Sequence, residues 1–284
     1  MKLVRHGAKG AERPGLLDKQ GRVRDLSGVS DDITPEVLDP GKLADLARLH
    51  FEDLPVAPMP NRLGVPIASV SKLVCIGLNY KDHAKEANLP IPQEPIIFLK
   101  AVSALSGPND DVVLPRGSKK GDWEVELGIV IGKQATYVSE SEALEYVAGY
   151  TIVNDVSERA YQIERGGQWT KGKSFDTFAP VGPWLVTKDE IPQPQSLGIW
   201  LDVNCERRQT GNTNDMIFSV ERLVSYLSEF MTLMPGDIVC TGTPAGVGLG
   251  MNPPQFLCPG DTMRLGVDGL GEQQQRVLAY DPLV

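Results

Sequence analysis

Apolar residues along this chain come in short runs that end at glycine, proline or a carboxylate. Helical periodicity is confined to a few segments. Leu127-Gly128-Ile129-Val130-Ile131-Gly132 continues from Asp122-Trp123-Glu124-Val125-Glu126 and reads as a buried strand with carboxylates at its start. Residues 72–77, 96–100 and 147–155 read as further strands, the last ending in Asn154-Asp155. Residues 199–204 and 208–211 predict a hairpin, and 261–267 and 274–278 predict closing strands. Short β-like runs at 2–5, 14–18 and 22–26 open the chain, with Asp18-Lys19-Gln20-Gly21 as a hairpin turn. Helices are predicted from Thr34, with Thr34 as N-cap, Pro35 in the first turn and Leu43, Leu46 and Leu49 on the apolar face. Others are predicted over 80–87 behind an Asn79 cap, around 139–146, and after a Ser219 cap with Leu223, Tyr226, Leu227 and Phe230 on the apolar side. Pro55, Pro58, Pro60 and Pro66 interrupt a stretch without periodicity, which reads as a linker. The expected organisation is a small N-terminal α+β domain and linker, 1–66, then a mainly-β catalytic domain, 67–284. No internal repeat is visible.

Composition narrows the class. At 284 residues, 41% hydrophobic and 23% charged, the chain suits a globular α+β protein. A net charge of −9, with no Lys/Arg cluster, argues against a nucleic-acid surface. No run of about 18 apolar residues predicts a membrane span. The N-terminus lacks the apolar core of a signal peptide. Cys75, Cys205, Cys240 and Cys258 form no C-x-x-C pair, which fits a reduced, cytoplasmic protein.

The candidate chemistry sits on the strand ends. Glu124 and Glu126, two residues apart, share one face of a strand. Like charges at the edge of an apolar run are unfavourable unless a cation offsets them, and hard oxygen ligands suit magnesium or manganese. A solvated edge strand with both glutamates in water is the alternative. His83 and Glu86 share a helix face, a spacing that lets a carboxylate orient an imidazole, but the spacing by itself favours an exposed His near an exposed Glu on an ordinary polar helix. Asp155, Arg159 and Gln162 fall on one face if a helix begins there, an arrangement suited to an anionic substrate or simply to the helix dipole. Residues 166–183, rich in glycine, lysine and aromatics, are too long for a plain turn. The glycine-rich stretch from Gly242 to Gly248 could be read as phosphate-binding, but it lacks G-K-S/T and an evident following helix, so the signal is weak.

Taken together, Ile76-Gly77-Leu78-Asn79-Tyr80-Lys81-Asp82-His83, Phe98-Leu99-Lys100, Trp123-Glu124-Val125-Glu126-Leu127, Asn154-Asp155-Val156-Ser157, Gly172-Lys173-Ser174-Phe175-Asp176-Thr177 and Gly242-Thr243-Pro244-Ala245-Gly246-Val247-Gly248 resemble the fumarylacetoacetate hydrolase family, in its order. The chain looks most like members that hydrolyse sugar-derived 2,4-diketo acids of the diketo-deoxyrhamnonate type. The resemblance implies a mixed β-roll around one divalent ion, magnesium or manganese, with calcium able to replace it in crystals. It implies Glu124, Glu126 and Asp155 as ligands and His83 with Glu86 as a water-activating dyad on a lid. Lys173 would face substrate oxygens, with Tyr80, Lys100, Thr177 and Thr243 around them, and Arg159 and Gln162 at the acid end. A homodimer or homotetramer is implied as well. Two departures stand out: Cys205-Glu206-Arg207-Arg208 replaces a glycine-led hairpin turn, and Ala101 stands where many members have proline. Arg208 would alter substrate choice if it lined the pocket.

The expected reaction is hydrolysis of the C3–C4 bond of a 2,4-diketo acid to pyruvate and a carboxylic acid. Alternatives within the family are oxaloacetate decarboxylation, isomerisation and hydration. A non-catalytic small-molecule binder with a structural ion is the alternative from another class, and a base beside the ion argues against it.

Overall fold

The computed structural model describes residues 1–58 and 62–282. Pro60, one of the prolines of the expected linker, lies outside the described residues. Among those residues there are seventeen strands and five α-helices, so the protein is mainly β, as expected. The longest helix, Val220–Phe230, has only 11 residues.

A ten-stranded sheet forms the frame. Its order is Val23–Asp25, Arg13–Leu17, Lys2–His6, Ala179–Thr187, Val147–Asn154, Val125–Ile131, Ile238–Cys240, Leu73–Gly77 and Ile96–Lys100, with Leu105–Ser106 paired to Ala179–Thr187. Val125–Ile131 lies near the middle and is buried along its whole length. That burial is why Ile129-Val130-Ile131 is apolar at successive positions rather than alternating with polar residues. Its register decides the chemistry. Glu126 pairs with Val153 and Val125 with Asn154, which sets Asp155 opposite Glu124. The Asp155 N–H donates to the Glu124 carbonyl at 2.8 Å.

A five-stranded sheet packs on the first, in the order Glu206–Asn212, Gly198–Val203, Thr262–Val267, Gly271–Leu278 and Val112–Val113. Ile199, Leu201, Met263 and Leu265 join its apolar face to the common core. Buried amides tie the sheets where backbone groups would otherwise be orphaned. Gln209 Oε1 accepts from the Val125 N–H at 3.0 Å, and Asn154 Nδ2 donates to Gln275 Oε1 at 3.0 Å. Gln273 Nε2 donates to the Ile152 carbonyl at 2.9 Å.

The N-terminal strands add to the main sheet, with Lys2 opposite Val186, and Leu43 and Leu46 enter the same core. The expected N-terminal helix starts later than Thr34. It spans Pro40–Ala47, capped by Asp39, whose carboxylate accepts from the Gly41 N–H at 2.9 Å. Asp-Pro supplies both cap and first turn directly before the apolar pair, and so outcompetes Thr-Pro five residues earlier. Asn79 does not cap Lys81–Glu86. It accepts from the Phe218 N–H at 2.8 Å and donates to the Thr241 carbonyl at 2.8 Å, joining three segments distant in sequence. The segment around 139–146 holds one 3-10 turn, Ala143–Tyr146. No helix starts at Asp155: a strand, Ser157–Glu158, intervenes before the helix Arg159–Ile163. Ser219 caps its helix as expected, its hydroxyl accepting from the Arg222 N–H at 3.3 Å, but Phe230 at the far end is 60% exposed. The Asn204-Cys205 turn is left-handed at both residues, φ 52° and 64°, the mirror-image geometry that suits a tight hairpin without glycine at some cost in strain. No helix among the described residues is long and apolar enough to cross a membrane.

Candidate metal centre and catalytic cavity

Three carboxylates converge where the central strands end. Oxygen atoms of Glu124, Glu126 and Asp155 all lie within 4.8 Å of one another, and all three residues are buried. Glu124 and Glu126 share a face through the pleat, and Asp155 joins them through antiparallel register.

Cations reach the cluster from three segments. Lys173, on the one-turn helix Thr170–Lys173, donates to Glu124 Oε2 and to Asp155 Oδ2, both at 2.7 Å. Lys100 bonds the other Asp155 oxygen and donates to the Val156 carbonyl at 3.0 Å. Arg159 places Nη2 2.7 Å from Glu124 Oε1, Nε 2.8 Å from Asp122 Oδ2 and Nη1 3.0 Å from Gln162 Oε1. These partners divide the electrostatics. Burial would raise the Glu124 carboxyl, but Lys173 and Arg159 overrule it and hold it below the ordinary range. Glu126 goes the other way: burial, with Asp155, Cys240 and Glu124 nearby, pushes its carboxyl well up. Burial opposes the charge on Lys173, and Asp155 and Glu124 more than restore it, so the ammonium is held more firmly than usual.

Glu126 therefore carries the test of fit for a divalent ion. Its Oε2 accepts from the Gly242 N–H at 2.8 Å, and no cation pairs with it among the described residues. A buried carboxylate beside two others, without a cation of its own, is the site that a hard divalent ion completes. Gly242 is needed there: φ is +91°, and a Cβ would lie 2.9 Å from Asn79.

The cluster opens into a cavity of about 380 Å³. Glu124, Glu126, Arg159, Gln162, Lys173 and Thr243 line it, together with His83 and Glu86. His83 Nδ1 and Glu86 Oε2 are 3.1 Å apart. Glu86 Oε1 accepts from the Gly246 N–H at 2.9 Å, and Asp82 Oδ2 accepts from the Ala245 N–H at 3.2 Å. The helix Lys81–Glu86 is thus fastened to the glycine-rich loop. Thr243 Oγ1 donates to the Val125 carbonyl at 2.8 Å and accepts from Gln209 at 2.7 Å.

Four expected residues are not on the cavity wall. Asp155 and Lys100 are buried against each other. Tyr80 is fully buried, which pushes its phenol well above the usual range. Thr177 is left-handed, φ 67°, and its hydroxyl accepts from the Val113 N–H at 2.8 Å, so it shapes a turn. Arg208 does not line the cavity either: it pairs with Glu206 at 2.9 Å. One residue carries more than its place in the sequence suggested. Asp122, fully buried, accepts from Arg159 and from the Gly248 and Leu249 N–H groups at 2.7 and 3.0 Å. An aspartate directly before a buried tryptophan was the available signal.

Comparison with known proteins places these features. A Burkholderia orbicola protein, called a hydrolase without a named substrate, is 55% identical over 277 residues, covering 97% of this chain and 98% of its own. The fumarylacetoacetate hydrolase from Exiguobacterium antarcticum superposes with a TM-score of 0.88 at 35% identity, covering 99% of this chain and all of that one. The 2-hydroxyhepta-2,4-diene-1,7-dioate isomerase from Mycobacterium marinum gives 0.75 at 33% identity, covering 99% of each chain. A maleylpyruvate hydrolase from Sphingobium sp. SYK-6, solved with manganese(II) and pyruvate, gives 0.83 at 29%, covering 99% of this chain and all of that one. The fumarylacetoacetate (FAA) hydrolase C-terminal family matches residues 72–278, and the chain belongs to that family.

Proposed function

We propose that the protein is a divalent-metal-dependent hydrolase that cleaves the C3–C4 bond of a 2,4-diketo acid, releasing pyruvate and a carboxylic acid. The observation that carries this reading is the His83–Glu86 pair, 3.1 Å apart and facing the same cavity as the carboxylate cluster. A structural ion needs no base beside it. Glu124, Glu126 and Asp155 would hold magnesium or manganese, and the ion when bound supplies Lewis-acid stabilisation of negative charge on keto-acid oxygens.

The residues of the chain divide the remaining work. Arg159 and Gln162 bind the carboxylate end of the substrate. Glu86 holds His83 Nδ1–H, leaving Nε2 to take a proton from water. The water oxygen bonds to C4, and the C3–C4 pair leaves with C3. Lys173, kept charged by two carboxylates, offsets the oxyanion at C4. The proton returns to C3, completing pyruvate, so atoms balance with one water consumed.

Likeness to the isomerase favours one second reading, proton transfer between carbons of an unsaturated 2-hydroxy acid, with the same base and no water attack. Pyruvate release from a panel of 2,4-diketo acids, with and without magnesium, separates the two. Metal-dependent release supports hydrolysis. A change in diene absorbance without pyruvate supports isomerisation, and neither signal sinks both. We further propose a cytoplasmic assembly of two or more copies, with residues 1–66 as an accessory unit. The four cysteines are free, in keeping with a reducing compartment. A monomer in sedimentation at micromolar concentration would count against the assembly.

A further inference from the structure

We infer that the acyl group beyond C4 of the substrate is apolar, an alkyl, alkenyl or aryl chain rather than a polyhydroxylated one. This rests on the keto-acid reading above and concerns the other end of the same cavity.

Three separate segments each deliver a partly exposed aliphatic side chain to the cavity lining. The segment of His83 and Glu86 brings Leu89, 49% exposed; the helix of Arg159 and Gln162 brings Ile163, 50% exposed. The turn held by Asp122 brings Leu249, 38% exposed. Single exposed aliphatic side chains are common on any surface, but three from separate segments on one cavity form a collar. Aromatic rings continue it. Phe98 and Trp169 pack edge to face at 5.4 Å, and Lys173 Nζ lies 5.1 Å from the Phe98 ring centre. Trp169 reaches this place because residue 77 is glycine: a Cβ there would lie 2.3 Å from the indole.

The polar lining gathers at the keto-acid end, and its members are tied to one another there. Glu124 holds Lys173 and Arg159, Arg159 holds Gln162, Glu86 holds His83, and Thr243 bonds Val125 and Gln209. Hydroxyl groups on a tail laid along the collar would lose water without gaining partners. Methylenes would gain from burial. This collar is the feature that separates the chain from the expected sugar-derived substrate.

Two measurements on the magnesium-loaded full chain test the inference. The first follows kcat/KM for acetyl-, butanoyl- and hexanoylpyruvate and for a 2,4-diketo acid hydroxylated at C5 and C6. We expect a rise of about threefold to fourfold per methylene and the hydroxylated acid at least about tenfold below hexanoylpyruvate. The second reads affinity without turnover, by calorimetry with pyruvate, 2-oxobutanoate, 2-oxohexanoate and 2-oxooctanoate. We expect the same slope, flattened in Ile163→Asn. If no diketo acid releases pyruvate but the calorimetric slope stands, hydrolysis is wrong and the apolar tail is right. A flat series, no binding by any member, or a slope unchanged in Ile163→Asn overturns the inference. So does Ile163→Asn dissociating the assembly with the slope intact, since the collar is then a subunit contact.

Discussion

Arg62 joins Glu12 to Asp110, with 2.7 Å contacts to both, and Lys173 joins Glu124 to Asp155, also at 2.7 Å. The two bridges look alike and differ in what surrounds them. Around Arg62 each carboxylate has an arginine: Asp32 pairs with Arg5 at 2.7 Å, and the members keep contact with water. Around Lys173 everything is buried, and Glu126 is left with a backbone N–H and, among the described residues, no cation. A network in which every charge is paired stabilises a seam. One that leaves a buried carboxylate unpaired has room for a ligand.

The sharpest way to break this contrast is to remove the unpaired member. Glu126→Ala should weaken magnesium binding by more than the roughly 10- to 100-fold that loss of an outer partner costs, and abolish metal-dependent turnover. Equal calorimetric affinity in wild type and variant would end the metal assignment.

Next is His83→Ala. Hydrolysis should fall about 10²- to 10⁴-fold with magnesium affinity unchanged, and any oxaloacetate decarboxylation should fall less, because it needs no base for water. A parallel fall in both activities would make His83 a positioning residue.

Asp122→Asn probes the buried cluster from behind. It removes the charge paired with Arg159, where breaking a buried pair costs up to about 3–5 kcal/mol. The unfolding midpoint should drop, and KM for the keto acid should rise about tenfold with a smaller change in kcat, as Arg159 loses its hold. An unchanged KM would separate Asp122 from substrate binding.

The smallest effect belongs to the seam. Burial raises the carboxyls of Glu12 and Asp110, and the hydrogen bonds and charge of Arg62, together with backbone N–H groups and neighbouring cations, more than reverse it, leaving both lowered. Groups lowered on folding stabilise above the ordinary carboxylate range, and that contribution is lost as pH falls through their folded values. Arg62→Ala should cost about 1 kcal/mol or less at neutral pH and flatten the acid side of the stability curve. A loss that persists undiminished at acid pH would point to packing of the guanidinium stem instead.

Local patterns were legible wherever chemistry and geometry lie within a few residues. The strand period put Glu124 and Glu126 on one face and the helix period did the same for His83 and Glu86, but only the family resemblance singled out the second pair as a dyad. Patterns failed where a distant segment competed. Asn79 reads as a cap, yet the Phe218 and Thr241 backbone groups claim its amide. Thr177 stands in a stretch typical of the family, but its hydroxyl serves Val113. Lys100 and Tyr80 resemble site residues and lie buried off the cavity wall.

The sequence alone determined the mainly-β class, the buried strand opening with two carboxylates and the shared helix face of His83 and Glu86, because side-chain periodicity is a property of the local backbone. Only the tertiary structure decided that Asp155 stands opposite Glu124, that Lys173 bridges them, that Asp122 grips Arg159, and that Leu89, Ile163 and Leu249 meet around one cavity. Those facts follow from strand register and from packing between segments far apart in sequence, such as Glu86 and Gly246, separated by 160 residues. Local spacing carries no record of either.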